Sequence, residues 1–187
     1  MKAQIFKFSL LALVTILFLS TSCNKDNDDS PDDLDVGTLV VKVDGETFES
    51  IAAVGTITVT LDTLQTFIIS GLKNEGLTNI TEMGLIFLHH TDETMTEKTY
   101  QFSDGDGSCF QPLGVCGGID YTNANIFNPS ESFNYESASL GGSATMTFTT
   151  LDYQTGGSAK GTFSGTLVDG NGNSVALTEG KFNVLVD

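Results

Sequence analysis

The sequence predicts an all-β protein: one antiparallel β-sandwich domain, with an up-and-down β-barrel as the alternative arrangement. Three observations carry that reading. Thr56–Leu61 and Ala144–Thr149 alternate threonine with apolar residues at period two, the pattern of a half-buried strand. Glycine, asparagine and aspartate punctuate the chain at short intervals, as hairpin turns require. No 12-residue window beyond residue 22 carries an apolar stripe at helical spacing.

In chain order, the first expected strand is Thr38–Val43. Asp44-Gly45 follows as a hairpin turn into a short returning strand around Thr47-Phe48. Thr56–Leu61 places Ile57, Val59 and Leu61 on one face. Thr66–Leu72, Met83–His89 and Lys98–Phe102 follow as apolar or alternating runs. The stretch Asp104–Tyr135 is rich in glycine and aromatics and reads as a loop region. Phe133–Ser139 and Ala144–Thr149 are the next strands, the latter facing Ala144, Met146 and Phe148 inward. Asp169-Gly170-Asn171-Gly172 turns Lys160–Val168 back into Val175–Leu177 and Gly180–Val186.

The amino terminus is organised differently. Lys2 and Lys7 precede a 12-residue apolar run, Phe8–Leu19, then Ser20, Thr21, Ser22 and Cys23. That is the layout of a secretory signal peptide over residues 1–22, too short for the roughly 20 residues of a membrane span. The segment resembles a bacterial lipobox, which implies lipid attachment at Cys23; Ser20 stands where that pattern has leucine. Ordinary cleavage after Ser22, giving plain secretion, is the alternative. Residues 23–36 hold six aspartates and one proline and read as a disordered acidic tether. Lys25 followed by acidic residues resembles the surface-export signal of Bacteroidetes lipoproteins, the alternative being a solvated spacer. The expected location is the outer membrane, lipid-anchored and facing outward.

Residues 37–187 form a block of single-domain length. From Cys23 onward six lysines and no arginine stand against 24 acidic residues, a net charge of −18. Such a chain repels a phosphate backbone, so nucleic acid is excluded as a partner, and an anionic membrane surface has to be reached through the lipid.

Several features of the block go together: Val41–Phe48 as a small strand pair, a central segment with Thr99-Tyr100 and Tyr121, a Gly-Thr-Phe-Ser-Gly-Thr-Leu strand, and Thr178–Asn183 after a glycine turn. In this order of features the chain resembles a family of β-rich, lipid-anchored Bacteroidetes lipoproteins of unknown function. The resemblance implies a sandwich-like fold on a lipid anchor and brings no activity with it.

Cys109 and Cys116 flank a short loop, and in an exported chain a disulfide is their simplest use, free thiols and a metal site being the alternatives. His89 and His90 are adjacent on a strand and so point to opposite faces. Asp104–Gly107 and Asp169–Asn173 superficially resemble calcium loops, but Ser174 replaces the sharp-turn glycine of the second, and hairpin turns explain both; no metal and no cofactor is expected. Asp62-Thr63-Leu64 resembles a short Bacteroidetes O-glycosylation motif at Thr63, and Asn79-Ile80-Thr81 is an N-glycosylation sequon. No nucleophile–base motif, zinc-protease motif or phosphate loop occurs, so no catalytic residue is assigned. Tyr121, Phe127, Phe133 and Tyr135 form a candidate ligand surface, core packing, the more common fate of such residues, being the alternative. The expected function is a noncatalytic surface module for a protein or glycan ligand, with a structural envelope component or a motif-free hydrolase as alternatives.

Overall fold

The computed structural model describes residues 33–60, 64–74, 76, 79–90, 95–103, 115–125, 127–137, 141–152 and 154–187. Among these residues eleven strands run in chain order: β1 Thr38–Val43, β2 Glu46–Glu49, β3 Ala52–Thr60, β4 Leu64–Asn74, β5 Asn79–His90, β6 Thr99–Ser103, β7 Cys116–Asn125, β8 Phe133–Glu136, β9 Ser143–Leu151, β10 Ser158–Asp169 and β11 Ser174–Leu185. Helical structure among the described residues is confined to 3-10 conformation, at Asp33 and in the turn Pro129–Glu131. No helix among them is long and apolar enough to cross a membrane.

The strands form one antiparallel sheet in the order β2-β1-β11-β10-β8-β7-β5-β4-β3, with β9 and β6 branching from β10. The branch arises because the free edge of β10 is shared: β9 takes Ala159–Thr166 and β8 takes Val168 and Asp169. The sheet curls into a half-barrel, and β3 returns to the far end of β11 through a parallel bridge between Gly55 and Val186. Its two halves therefore face one another as in a sandwich. Aromatic rings join them: Phe148 of β9 meets Phe67 of β4 at 6.2 Å and Phe87 of β5 at 5.1 Å, and Tyr100 of β6 meets Phe87 at 5.9 Å. Phe67, Phe87, Ile69, Leu85, Met146 and Phe182 are fully buried there. Each buried ring contributes roughly 1.5–3 kcal/mol through the apolar area it removes from water.

Curling a sheet this far needs local breaks in register. One lies where β1 and β10 both flank Thr178–Lys181: Val40 pairs Lys181 while Lys42 already pairs Thr178. Glu179 occupies the extra position at φ 55°, and Lys42 reaches its carboxylate at 2.6 Å. At neighbouring Gly180 a Cβ would sit 2.5 Å from the Phe163 carbonyl oxygen, so only glycine fits. The β1–β2 turn is the expected one, Asp44 and Gly45 having φ of 49° and 86° as a type I′ hairpin demands.

Three expectations need correction. The supposed loop Asp104–Tyr135 contains a ten-residue strand, β7, paired with β5 along its length and with β8 at Asp120–Asn123. Val59 shares the face of Ile57 as the alternation requires, but it is 57% exposed rather than half-buried, β3 lying at the end of the strand path. Leu34, placed in the tether by composition, is tied down: Asn183 Nδ2 donates to its carbonyl at 2.6 Å.

Candidate functional site

The parity of β7 and β8 assembles the aromatic site. Tyr121 pairs Tyr135 and Asn123 pairs Phe133, so all four side chains project from the face that carries fully buried Ile119. Tyr121, Phe133 and Tyr135 are half-buried rather than sealed, Tyr121 and Tyr135 packing against the margin of the core. Tyr121 and Phe133 lie with centroids 5.0 Å apart, and Phe133 and Tyr135 5.6 Å apart. Phe48 of β2 meets Tyr121 edge-on at 6.0 Å, and the Lys73 ammonium stands 6.0 Å from the Phe48 ring. The result is a continuous aromatic row with one cation at its end.

Phe127 stands apart, 81% exposed on the turn between β7 and β8. That turn is heavily capped. Asn125 Oδ1 accepts from the amides of Phe127 and Asn128 at 3.1 and 2.8 Å, and Glu131 accepts from the side-chain amides of Asn125 and Asn128. Three of the four sequence-predicted surface residues are therefore together. Phe48 and Lys73 are members that the sequence reading missed; their strand periodicity marks a face but not which strands it meets.

The opposite face of β5, β7 and β8 holds a second grouping. Asp120 pairs Glu136 directly, and Glu82 lies two pairs along β5 from Gly84, the β5 partner of Asp120. Ser70 Oγ donates to Glu82 at 2.5 Å and Asn134 Nδ2 to Glu136 at 2.6 Å. Burial first, then the Glu136 and Glu82 charges, raises the Asp120 carboxyl to about 6. Among the described residues no set of three or more histidine, cysteine or acidic side chains is arranged to hold a metal ion. The Asp120 group can exchange a proton close to neutral pH.

The other expected positions are quickly placed. His89 is buried on the core face behind Phe87, with Nδ1 2.9 Å from the His90 carbonyl, while His90 points the other way. Asp169 closes the β10–β11 turn: its Oδ1 accepts from the amides of Asn171 and Asn173 at 2.9 and 2.7 Å, and its Oδ2 from the Asn173 side chain at 2.8 Å. These bonds, the Asn173 side chain foremost, hold its carboxyl below the usual aspartate value. The lone pairs a cation would need are occupied by the turn itself. Thr81 of the sequon is buried, its hydroxyl accepting from Asn123 Nδ2 at 2.9 Å. Cys116 is the buried first residue of β7. Cys23, Thr63, Cys109 and Asp104–Gly107 lie outside the described residues.

A cleft of about 550 Å³ opens at the opposite end of the half-barrel, between β4, β9 and the β9–β10 turn. No family model matches the chain, and neither a curated protein nor a solved structure is similar to it. Nothing in those comparisons or among the described residues points to catalysis.

Proposed function

We propose that this chain is a lipid-anchored cell-envelope protein whose β-domain is a noncatalytic binding module displayed on the outer membrane. The observation that carries the binding reading is the half-buried row Tyr121–Phe133–Tyr135, closed by Phe48 and Lys73. Rings held on a sheet lose little conformational freedom when a partner covers them, and tyrosine adds a polar edge to an apolar face. A protein or glycan is the fitting ligand class. The anchoring half of the reading rests on the Cys23 context, and the resemblance to β-rich Bacteroidetes lipoproteins agrees with it. The Cys109–Cys116 bridge belongs to the same exported setting. What supports it is the place of Cys116, buried at the very start of β7 where the short Cys109–Cys116 segment enters the sheet.

Two measurements test this reading separately. Cys23→Ala should move the protein from membranes to the soluble fraction; a variant that stays membrane-bound overturns the lipid anchor. Capture of envelope partners or arrayed glycans by the wild-type chain should fall at least roughly tenfold for Phe133→Ala or Tyr135→Ala, the usual effect of removing an aromatic anchor. Undiminished capture by both variants moves the site away from this row.

A further inference from the structure

The cleft at the end of the half-barrel remote from the aromatic row has a different chemistry. Gln65 of β4 and Asp152, Gln154 and Thr155 of the β9–β10 turn line it, over Met95 and Leu151. A carboxamide both donates and accepts hydrogen bonds, as does a threonine hydroxyl, while a carboxylate only accepts. Paired donors and acceptors of this kind match vicinal hydroxyl groups, which also do both. No lysine or arginine lines the cleft among the described residues, so an anionic ligand would find no counter-charge. The half-buried Ile57 and Leu151 side chains offer an apolar floor for the C–H face of a saturated ring.

The frame is rigid enough to hold these groups in place. The β9–β10 turn is tied to the C-terminal end of the chain: the Gly156 amide donates to the Val186 carbonyl at 2.7 Å, and Val186 returns a bond to Gly157 at 3.0 Å. Asp187 in turn donates to the Gly55 carbonyl of β3 at 2.8 Å. Within the turn the Gly157 amide bonds the Gln154 carbonyl at 2.7 Å. Polar side chains carried on so braced a backbone lose little entropy on binding. A volume of about 550 Å³ falls in the range of small-ligand sites and accommodates one or two pyranose rings.

We infer that this cleft is a binding site for a neutral saccharide, separate from the aromatic row and independent of whatever that row binds. Isothermal titration calorimetry on the full chain carrying Cys23→Ser would use N-acetylglucosamine, cellobiose and maltose, with galacturonate as the anionic control. At least one neutral sugar should bind, and more tightly than galacturonate. Gln154→Ala and Asp152→Asn should each weaken it roughly tenfold, the loss expected for one polar partner. Tyr135→Ala should leave that affinity unchanged. Circular dichroism of the variants separates lost binding from lost fold, and Gln154 is an exposed residue whose truncation removes no core contact. The inference is overturned if none of the three neutral sugars binds, if galacturonate binds best, or if Tyr135→Ala abolishes a binding that Gln154→Ala preserves.

Discussion

Replacing Asp120 by asparagine should stabilise this protein at neutral pH and have no effect on its stability in mild acid. Asp120 stands beside Glu136 and near Glu82 on adjacent strands, with its carboxyl raised from 3.8 to about 6. A shift of about 2 units corresponds to about 3 kcal/mol against the ionised form if none of it is screened. The group is only partly withdrawn from water, so the usable figure is nearer 1 kcal/mol. The sign follows from proton uptake. The folded pKa lies above the unfolded one, so the native state binds more protons between roughly pH 4 and 6, and stability falls as pH rises through that window. Below it both states are protonated and the group contributes nothing; above it the full penalty applies. Asparagine keeps the shape, removes the charge and can donate to Glu136. Urea unfolding followed by far-ultraviolet circular dichroism should therefore give a variant about 1 kcal/mol more stable at pH 7.5 and equal to wild type near pH 4, and thermal unfolding at pH 7.5 should raise the midpoint by some 2–4 °C. A variant no more stable at pH 7.5, or stabilised equally at both pH values, would refute the reasoning.

Gly180→Ala should cost about 2–3 kcal/mol, because a Cβ there overlaps the Phe163 carbonyl and ring at the bulge that lets β10 and β11 curl; thermal unfolding measures it. Ser137→Ala should cost roughly 1–3 kcal/mol in urea unfolding, since the buried Ile119 amide donates to the Ser137 hydroxyl at 2.6 Å and would lose its acceptor. Asp169→Ala should accelerate hydrogen exchange at the Asn171 and Asn173 amides, which now donate to its carboxylate. Because its folded pKa is lowered, wild-type protection of that turn should be present above the ordinary aspartate pKa and fade as pH falls through the lowered value.

Strand β1 was legible end to end, because Thr38–Val43 is a short run rich in β-branched residues that stops at the Asp44-Gly45 turn signal, whose two residues are left-handed. Strand β9 was equally plain, with Ala144, Met146 and Phe148 all buried as the alternation requires. Strand β7 was not legible, and its composition explains why. Cys-Gly-Gly-Ile-Asp-Tyr-Thr-Asn-Ala-Asn has two glycines, an aspartate and two asparagines, residues that disfavour extended structure on their own. Its conformation comes from β5 on one side and β8 on the other. The aromatic row was half legible: Tyr121, Phe133 and Tyr135 could be named as a group. Their contact with Phe48 and Lys73 depends on the curl of the sheet, which no single strand encodes.

That difference has a physical root. Periodicity within a strand fixes which residues share a face, whereas cross-strand register fixes which residues meet, and only the second builds a site. In β7 the distinction is acute because Asp120 and Tyr121 are neighbours with opposite placements. A slip of one residue would carry the carboxylate to the inner face beside Phe133 and turn the tyrosine outward among Glu82 and Glu136. Polar groups on the inner face oppose that slip. The Ser137 hydroxyl accepts from the Ile119 amide, and Asn123 donates to the Thr81 hydroxyl at 2.9 Å, both in buried surroundings. Either bond would be left unsatisfied in a shifted register, at a cost of roughly 1–3 kcal/mol for each buried group. Apolar contacts alone tolerate sliding; these two bonds do not. A strand with weak intrinsic preference is thereby held in the one register that lines up the three rings on one side and the titrating acid on the other.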